Sequence, residues 1–165
     1  DDLDGGSDTQ KFYHSLMHGP APGKQCYSSL NEQCAGIKGL TESFESDINA
    51  CCVIARTNNE LKSIAAALGS LNIPCHILEG KSSSPPKGTI NLATMHRVKG
   101  LEFDYVILAS ANKGMVPYSY VIDKAGDPVT KRQKENEERS LVYVSLTRAR
   151  KQAFVLAYGE MSEWF

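Results

Sequence analysis

Two stretches of this chain set charged and polar side chains among residues apolar enough to be core. One is Thr94-Met95-His96-Arg97-Val98-Lys99-Gly100-Leu101-Glu102-Phe103. The other is Glu138-Arg139-Ser140-Leu141-Val142-Tyr143-Val144-Ser145-Leu146-Thr147-Arg148-Ala149-Arg150. Buried charge is costly unless something answers it, so both blocks read as parts of an anion site. On a helix, Leu141, Val144, Ser145 and Arg148 would share one face by i, i+3, i+4 and i+7 spacing. An always-charged, forked donor such as Arg148 suits the spreading charge of a phosphoryl group. An arginine ending an apolar stripe can equally snorkel to water. Glu102 offers two acceptor oxygens, or is a solvated turn residue. Thr94 suits a helix N-cap, with His96, Arg97 and Lys99 on a polar helix face. The same hydroxyl, imidazole and backbone N–H groups can meet phosphate oxygens. Arg56 ends an apolar run in Val53-Ile54-Ala55-Arg56-Thr57-Asn58, where it either faces a ligand or only holds the strand end.

The elements that must position these residues alternate. A short strand is expected over 25–30, then a helix over 31–44 whose pattern is weakened by Gly36 and Gly39. Residues 49–55 are continuously apolar, as strands buried on both faces of a parallel sheet are. A helix over 58–68 follows, with Leu61, Ile64, Ala65 and Leu68 on one face and Gly69 near its end. Strands are expected over 73–78 and 89–93, separated by a loop over 82–88. A short helix should start at Thr94 and stop near Gly100. After a strand over 105–109, residues 113–131 read as a long surface loop. A helix over 133–149 and a strand over 152–158 close the chain. This order predicts an α/β fold with a mostly parallel sheet and right-handed crossovers. Ligands of such sheets sit at the carboxyl ends of strands, where the block beginning at Thr94 should lie.

The two blocks, in this order, resemble motifs V and VI of the UvrD/Rep/PcrA-type superfamily 1 DNA helicases. Val53-Ile54-Ala55-Arg56-Thr57-Asn58 also resembles the segment that restarts the C-terminal lobe of those enzymes, and Gly114-Met115-Val116-Pro117 their G-x-x-P turn. The likeness runs from about Asn49 to Trp164. It implies a RecA-like sheet flanked by helices on both faces and lacking its own Walker A. Residues 1–22 would then be a linker and 23–165 the helicase lobe. By the resemblance, Arg148 reaches across the inter-lobe cleft to the γ-phosphate of ATP, and Glu102 accepts hydrogen bonds from the ribose. Gly100 turns the backbone beside Glu102, and Lys99 supports the nucleotide cleft or the path of the DNA backbone. Thr94 and His96 would touch the DNA backbone, with Arg56 as a further DNA contact.

ATP and Mg²⁺ would be held mainly by an N-terminal lobe of the same polypeptide. The Walker A, the acidic Walker B and the Gln-Asn-Tyr-Arg-Ser of motif IV are absent here, and residues 80–89 are only a short loop. The parent would then be a trimmed member without the large 2B insertion, or one whose insertion lies before Asp1. The implied parent is a DNA helicase or translocase acting 3′ to 5′ on single-stranded or duplex DNA in repair or recombination, and this piece alone should hydrolyse nothing. The competing reading is an inactive RecA-like docking or single-strand-binding module. That reading expects an aromatic stacking platform, whereas Tyr, Phe and His are scattered here and Glu102 and Arg148 are intact.

Composition bounds these readings. The 165 residues are 41% hydrophobic and 22% charged, enough for one domain with a real core. A net charge of -1 supplies no overall positive field, so any nucleic-acid face must come from local clusters of Lys and Arg. Five cysteines without a C-x-x-C pair predict free thiols in a reducing compartment. No apolar run reaches membrane-spanning length, and the cytoplasm is the expected location. Gly19-Pro20-Ala21-Pro22-Gly23-Lys24-Gln25 is too short for a P-loop and has prolines where backbone N–H groups should cradle phosphate. His14 and His18 have chelating spacing but no third ligand.

Overall fold

The computed structural model describes residues 20–80 and 84–165. Most of the expected linker, with His14 and His18, lies outside the described residues, as does the tip of the loop at 81–83. The elements run β1 (Gly23–Tyr27), α1 (Leu30–Ser43), a 3-10 turn (Ile48–Ala50), β2 (Cys51–Ala55), α2 (Asn58–Ser70), β3 (Cys75–Ile77), β4 (Ile90–Thr94), β5 (Phe103–Leu108), α3 (Ser119–Asp123), α4 (Pro128–Leu146) and β6 (Ala149–Tyr158). Gly23, Lys24 and Gln25 of the rejected phosphate loop open β1.

The six strands form one sheet in the order β1-β6-β5-β2-β4-β3, and every pairing is parallel. β2 is fully buried at its centre. Because side chains alternate along a strand, Cys51, Val53 and Ala55 pack towards one layer with Ile37 of α1 and Leu61, Ile64 and Leu68 of α2. Cys52 and Ile54 pack towards the other, with Met95, Val98 and Val142 of α4. The sheet therefore has helices on both faces, the α/β class expected. Thr57 caps α2 by accepting from Glu60 N–H, and Asp127 caps α4 by accepting from Val129 and Thr130 N–H with Pro128 at the first turn. Gly36, which weakened the helix pattern, is needed because a Cβ there would run into the Tyr27 hydroxyl.

Three expectations are corrected. Residues 95–100 form successive turns and not a helix. The chain must return from the carboxyl end of β4 to the amino end of β5 within residues 95–102. A helix of that length would advance only about 12 Å, short of the roughly 16–20 Å of the strands it must pass. Within 113–131 lie all of α3 and the start of α4, whose Asp-Pro start signal precedes its apolar stripe. α4 also ends at Leu146, so Arg148 sits in the turn before β6 and not on the helix face.

Candidate functional site

The site residues divide between the two edges of the sheet. At the amino edge, Gly100 adopts φ +84°, a left-handed conformation that costs glycine nothing, and the chain turns into Glu102 immediately before β5. Parallel pairing sets Phe103 opposite Ala149, and Phe103 N–H donates to the Arg148 carbonyl at 3.0 Å. The β5–β6 ladder thereby brings Glu102 and Arg148 side by side from the two motif blocks. Arg148 folds back on the last turn of α4, with Nε donating to the Val144 carbonyl at 3.1 Å. Among the described residues no carboxylate pairs with it, so its charge stays available to an anion. Glu102 borders a cleft of about 390 Å³ that Asn49, Arg97 and Arg150 also line.

The carboxyl edge carries the other set. Thr94 ends β4 and caps the following turn, its Oγ1 accepting from Arg97 N–H at 3.3 Å. His96 and Lys99 are exposed. Both line a larger cleft of about 1240 Å³ between this turn and α4, with Arg132 and Leu141 on the opposite wall. Lys99 thus lines the same cleft as His96 and Arg56. Only the first part of its block occupies the carboxyl ends of the strands, because the connection crosses the whole sheet to reach Glu102.

Arg56 borders the same cleft, but Glu138 holds its guanidinium. Nη2 donates to Glu138 Oε1 at 2.6 Å and Nε to Oε2 at 2.9 Å. Oε2 also accepts from Tyr118 N–H at 3.0 Å, and the Tyr118 ring lies 5.1 Å from the guanidinium carbon. The pair is 9% and 3% exposed, so the geometry makes Arg56 a holder of the strand end. Sequence reasoning gave Glu138 no role, although a signal was present. Glu138 shares the helix face of Leu141, Val142 and Ser145, and a carboxylate on a buried stripe demands a cation.

A second buried network joins Gln33, Ser110, Glu60 and Tyr158. Ser110 Oγ donates to Glu60 Oε1 at 2.6 Å, and the Tyr158 hydroxyl donates to the same oxygen at 2.9 Å. Burial, and then this bond, pushes the Tyr158 hydroxyl up to about 12. The network ties the starts of α1 and α2 to the ends of β5 and β6, and it was also missed.

Residues 78–160 match the family model of the UvrD-like helicase C-terminal domain. The chain belongs to this family. Among relatives of this UvrD-like domain, the ATP-dependent DNA helicase Rep of Escherichia coli K12 is 26% identical over 97% of this chain and 22% of that protein. The ATP-dependent DNA helicase UvrD1 of Mycobacterium leprae is 36% identical over 47% of this chain and 9% of that protein. A probable DNA helicase II homolog of Mycoplasma pneumoniae is 40% identical over 44% of this chain and 10% of that protein. The UvrD-like domain thus spans only a minor part of these relatives' length. Its fold is similar to a crystal structure of the C-terminal domain of a possible DNA helicase from Lactobacillus plantarum WCFS1. The TM-score is 0.63 at 20% identity, covering 88% of this chain and 78% of that one. A RecA-like sheet is the architecture they share.

Proposed function

We propose that this domain is the C-terminal motor lobe of an ATP-dependent DNA helicase or translocase whose N-terminal lobe holds most of the nucleotide. One observation carries the reading. The β5–β6 ladder puts Arg148, which no carboxylate among the described residues neutralises, and Glu102 at adjacent backbone positions, which supports reading one as a cation for phosphate and the other as an acceptor for hydroxyl groups. Bound ATP supplies the phosphoryl group whose transfer drives the motor. Arg148 donates to the γ-phosphate and stabilises its developing charge when the lobes close, so that turnover depends on closure. Glu102 accepts from the ribose, and Gly100 permits the turn that presents it. Thr94 and His96, with Lys99 beside them, grip the DNA backbone at the other edge. Mg²⁺ would be held by the N-terminal lobe, and the lobe alone is inactive. Translocation runs 3′ to 5′ along one strand, serving DNA repair or recombination in the cytoplasm.

The test is ATP hydrolysis by the full-length protein with and without single-stranded DNA, comparing wild type with Arg148→Ala. DNA-stimulated turnover should fall by roughly 10³-fold or more in the variant. Stimulation that survives would leave a motor with a different arginine. No hydrolysis by the wild type would favour the inactive docking or strand-binding module.

A further inference from the structure

Arg150 and Lys151 follow the nucleotide-edge arginine, and nothing above employs them. Between the pairs Phe103–Ala149 and Tyr105–Gln152 these two residues oppose the single residue Asp104. That is a β-bulge, which re-aims side chains and is frequent beside active sites. Glu102 and Asp104 are two apart and share one side of their segment. In a regular ladder the adjacent Arg150 and Lys151 would point to opposite faces. With the bulge, both reach that side. Lys151 Nζ lies 3.2 Å from Asp104 Oδ2 and donates to Ser46 Oγ at 2.7 Å. Arg150 places Nε and Nη2 each 3.1 Å from the same oxygen of Glu102, Oε2. Among the described residues nothing donates to Oε1.

From this geometry we infer that Arg150 is the positioning residue for Glu102: the bulge turns its guanidinium onto one carboxylate oxygen and leaves the other as the ribose acceptor. The inference rests on the reading of Glu102 as the ribose contact. The pair is about three-fifths exposed on both sides, so in the open lobe it stabilises almost nothing. When the lobes close over a nucleotide, water leaves and the same contact strengthens. Arg150 therefore acts on nucleotide recognition in the closed state and not on the stability of the lobe.

The experiment measures steady-state hydrolysis of ATP, 2′-deoxy-ATP and 3′-deoxy-ATP by the full-length protein. Wild type is compared with Glu102→Ala, Arg150→Ala and Arg150→Lys, and thermal unfolding is followed for each. Wild type should discriminate against at least one deoxy analogue, and Glu102→Ala should abolish that discrimination. Arg150→Ala should raise KM for ATP about 3- to 10-fold, shrink the discrimination by a similar factor, and leave kcat and the unfolding midpoint near wild type. Arg150→Lys should recover part of it, because a point charge cannot reproduce the fork. Full discrimination in Arg150→Ala, with Glu102→Ala impaired, would overturn the Arg150 assignment alone. Equal behaviour of wild type and Glu102→Ala would remove the ribose reading, and this inference with it. A kcat collapse matching that of Arg148→Ala would put Arg150 on the phosphoryl group and also overturn the positioning role.

Discussion

At the scale of single residues, the buried pair Arg56–Glu138 makes the sharpest demand on stability. Removing one partner of a buried pair leaves an unanswered charge, which costs about 3–5 kcal/mol. Replacing both by apolar residues of similar volume costs far less. Glu138→Leu should therefore destabilise the domain by that amount in urea unfolding, and adding Arg56→Met should recover much of it. A single substitution as mild as the double one would mean that water reaches the pair. The thiols supply a second prediction. Burial, helped by the nearby Glu60 carboxylate, pushes Cys34 up to about 11, and burial alone pushes Cys51 up to about 12. Cys52 is raised well above the ordinary thiol value by burial and by Cys51. Alkylation requires the thiolate, and at pH 8 a thiol at about 11 is ionised in only roughly one molecule in a thousand. Iodoacetamide at pH 8 should thus label the exposed Cys26 of the folded protein and reach Cys34, Cys51 and Cys52 only after unfolding, as peptide mass mapping would show.

At the scale of elements, α4 supports both edges: Glu138 near its middle answers Arg56, and the Val144 carbonyl in its last turn accepts from Arg148 Nε. Its start depends on Asp127, whose carboxylate is held below the usual 3.8 by the Thr130 hydroxyl and then by the Thr130 N–H. A group lowered on folding contributes stability that is present above its unfolded value and lost as pH falls through its folded one. Helicity should therefore drop at the acid end, below about pH 4. Asp127→Asn keeps a cap that does not titrate, so its acid transition by circular dichroism should lose this component. Identical acid curves would remove Asp127 from the account. The sequence made most elements legible: β2 is a continuous apolar run and α2 has a single apolar face. What escaped it was set by distance. Val98 and Gly100 do not themselves forbid a helical turn after Thr94; the span that residues 95–102 must cross does. The end of α4 was likewise fixed by the strand partner, since Ala149 pairs with Phe103 and the chain must be extended there.

For the whole molecule, the sequence grouped the motif residues as two blocks, whereas the sheet regroups them by edge. Glu102 and Arg148 come to adjacent backbone positions because β5 and β6 are neighbours, a pairing that no local pattern announces. Thr94, His96 and Lys99 stay behind at the opposite edge, beside the larger cleft. This separation implies that nucleotide and nucleic-acid defects come apart under substitution. Arg148→Ala should suppress turnover of the full-length protein while leaving its affinity for single-stranded DNA close to wild type. Lys99→Ala and His96→Ala should weaken DNA binding and raise the DNA concentration needed for stimulation, with DNA-independent turnover unchanged. Lys99 carries a charge, so its loss should also lower the slope of log affinity against log salt by about 0.7, the value for one phosphate contact on a single strand. An unaltered slope in Lys99→Ala, with a higher KM for ATP, would move Lys99 to the nucleotide edge and would require the turn over residues 95–100 to rearrange when the lobes close.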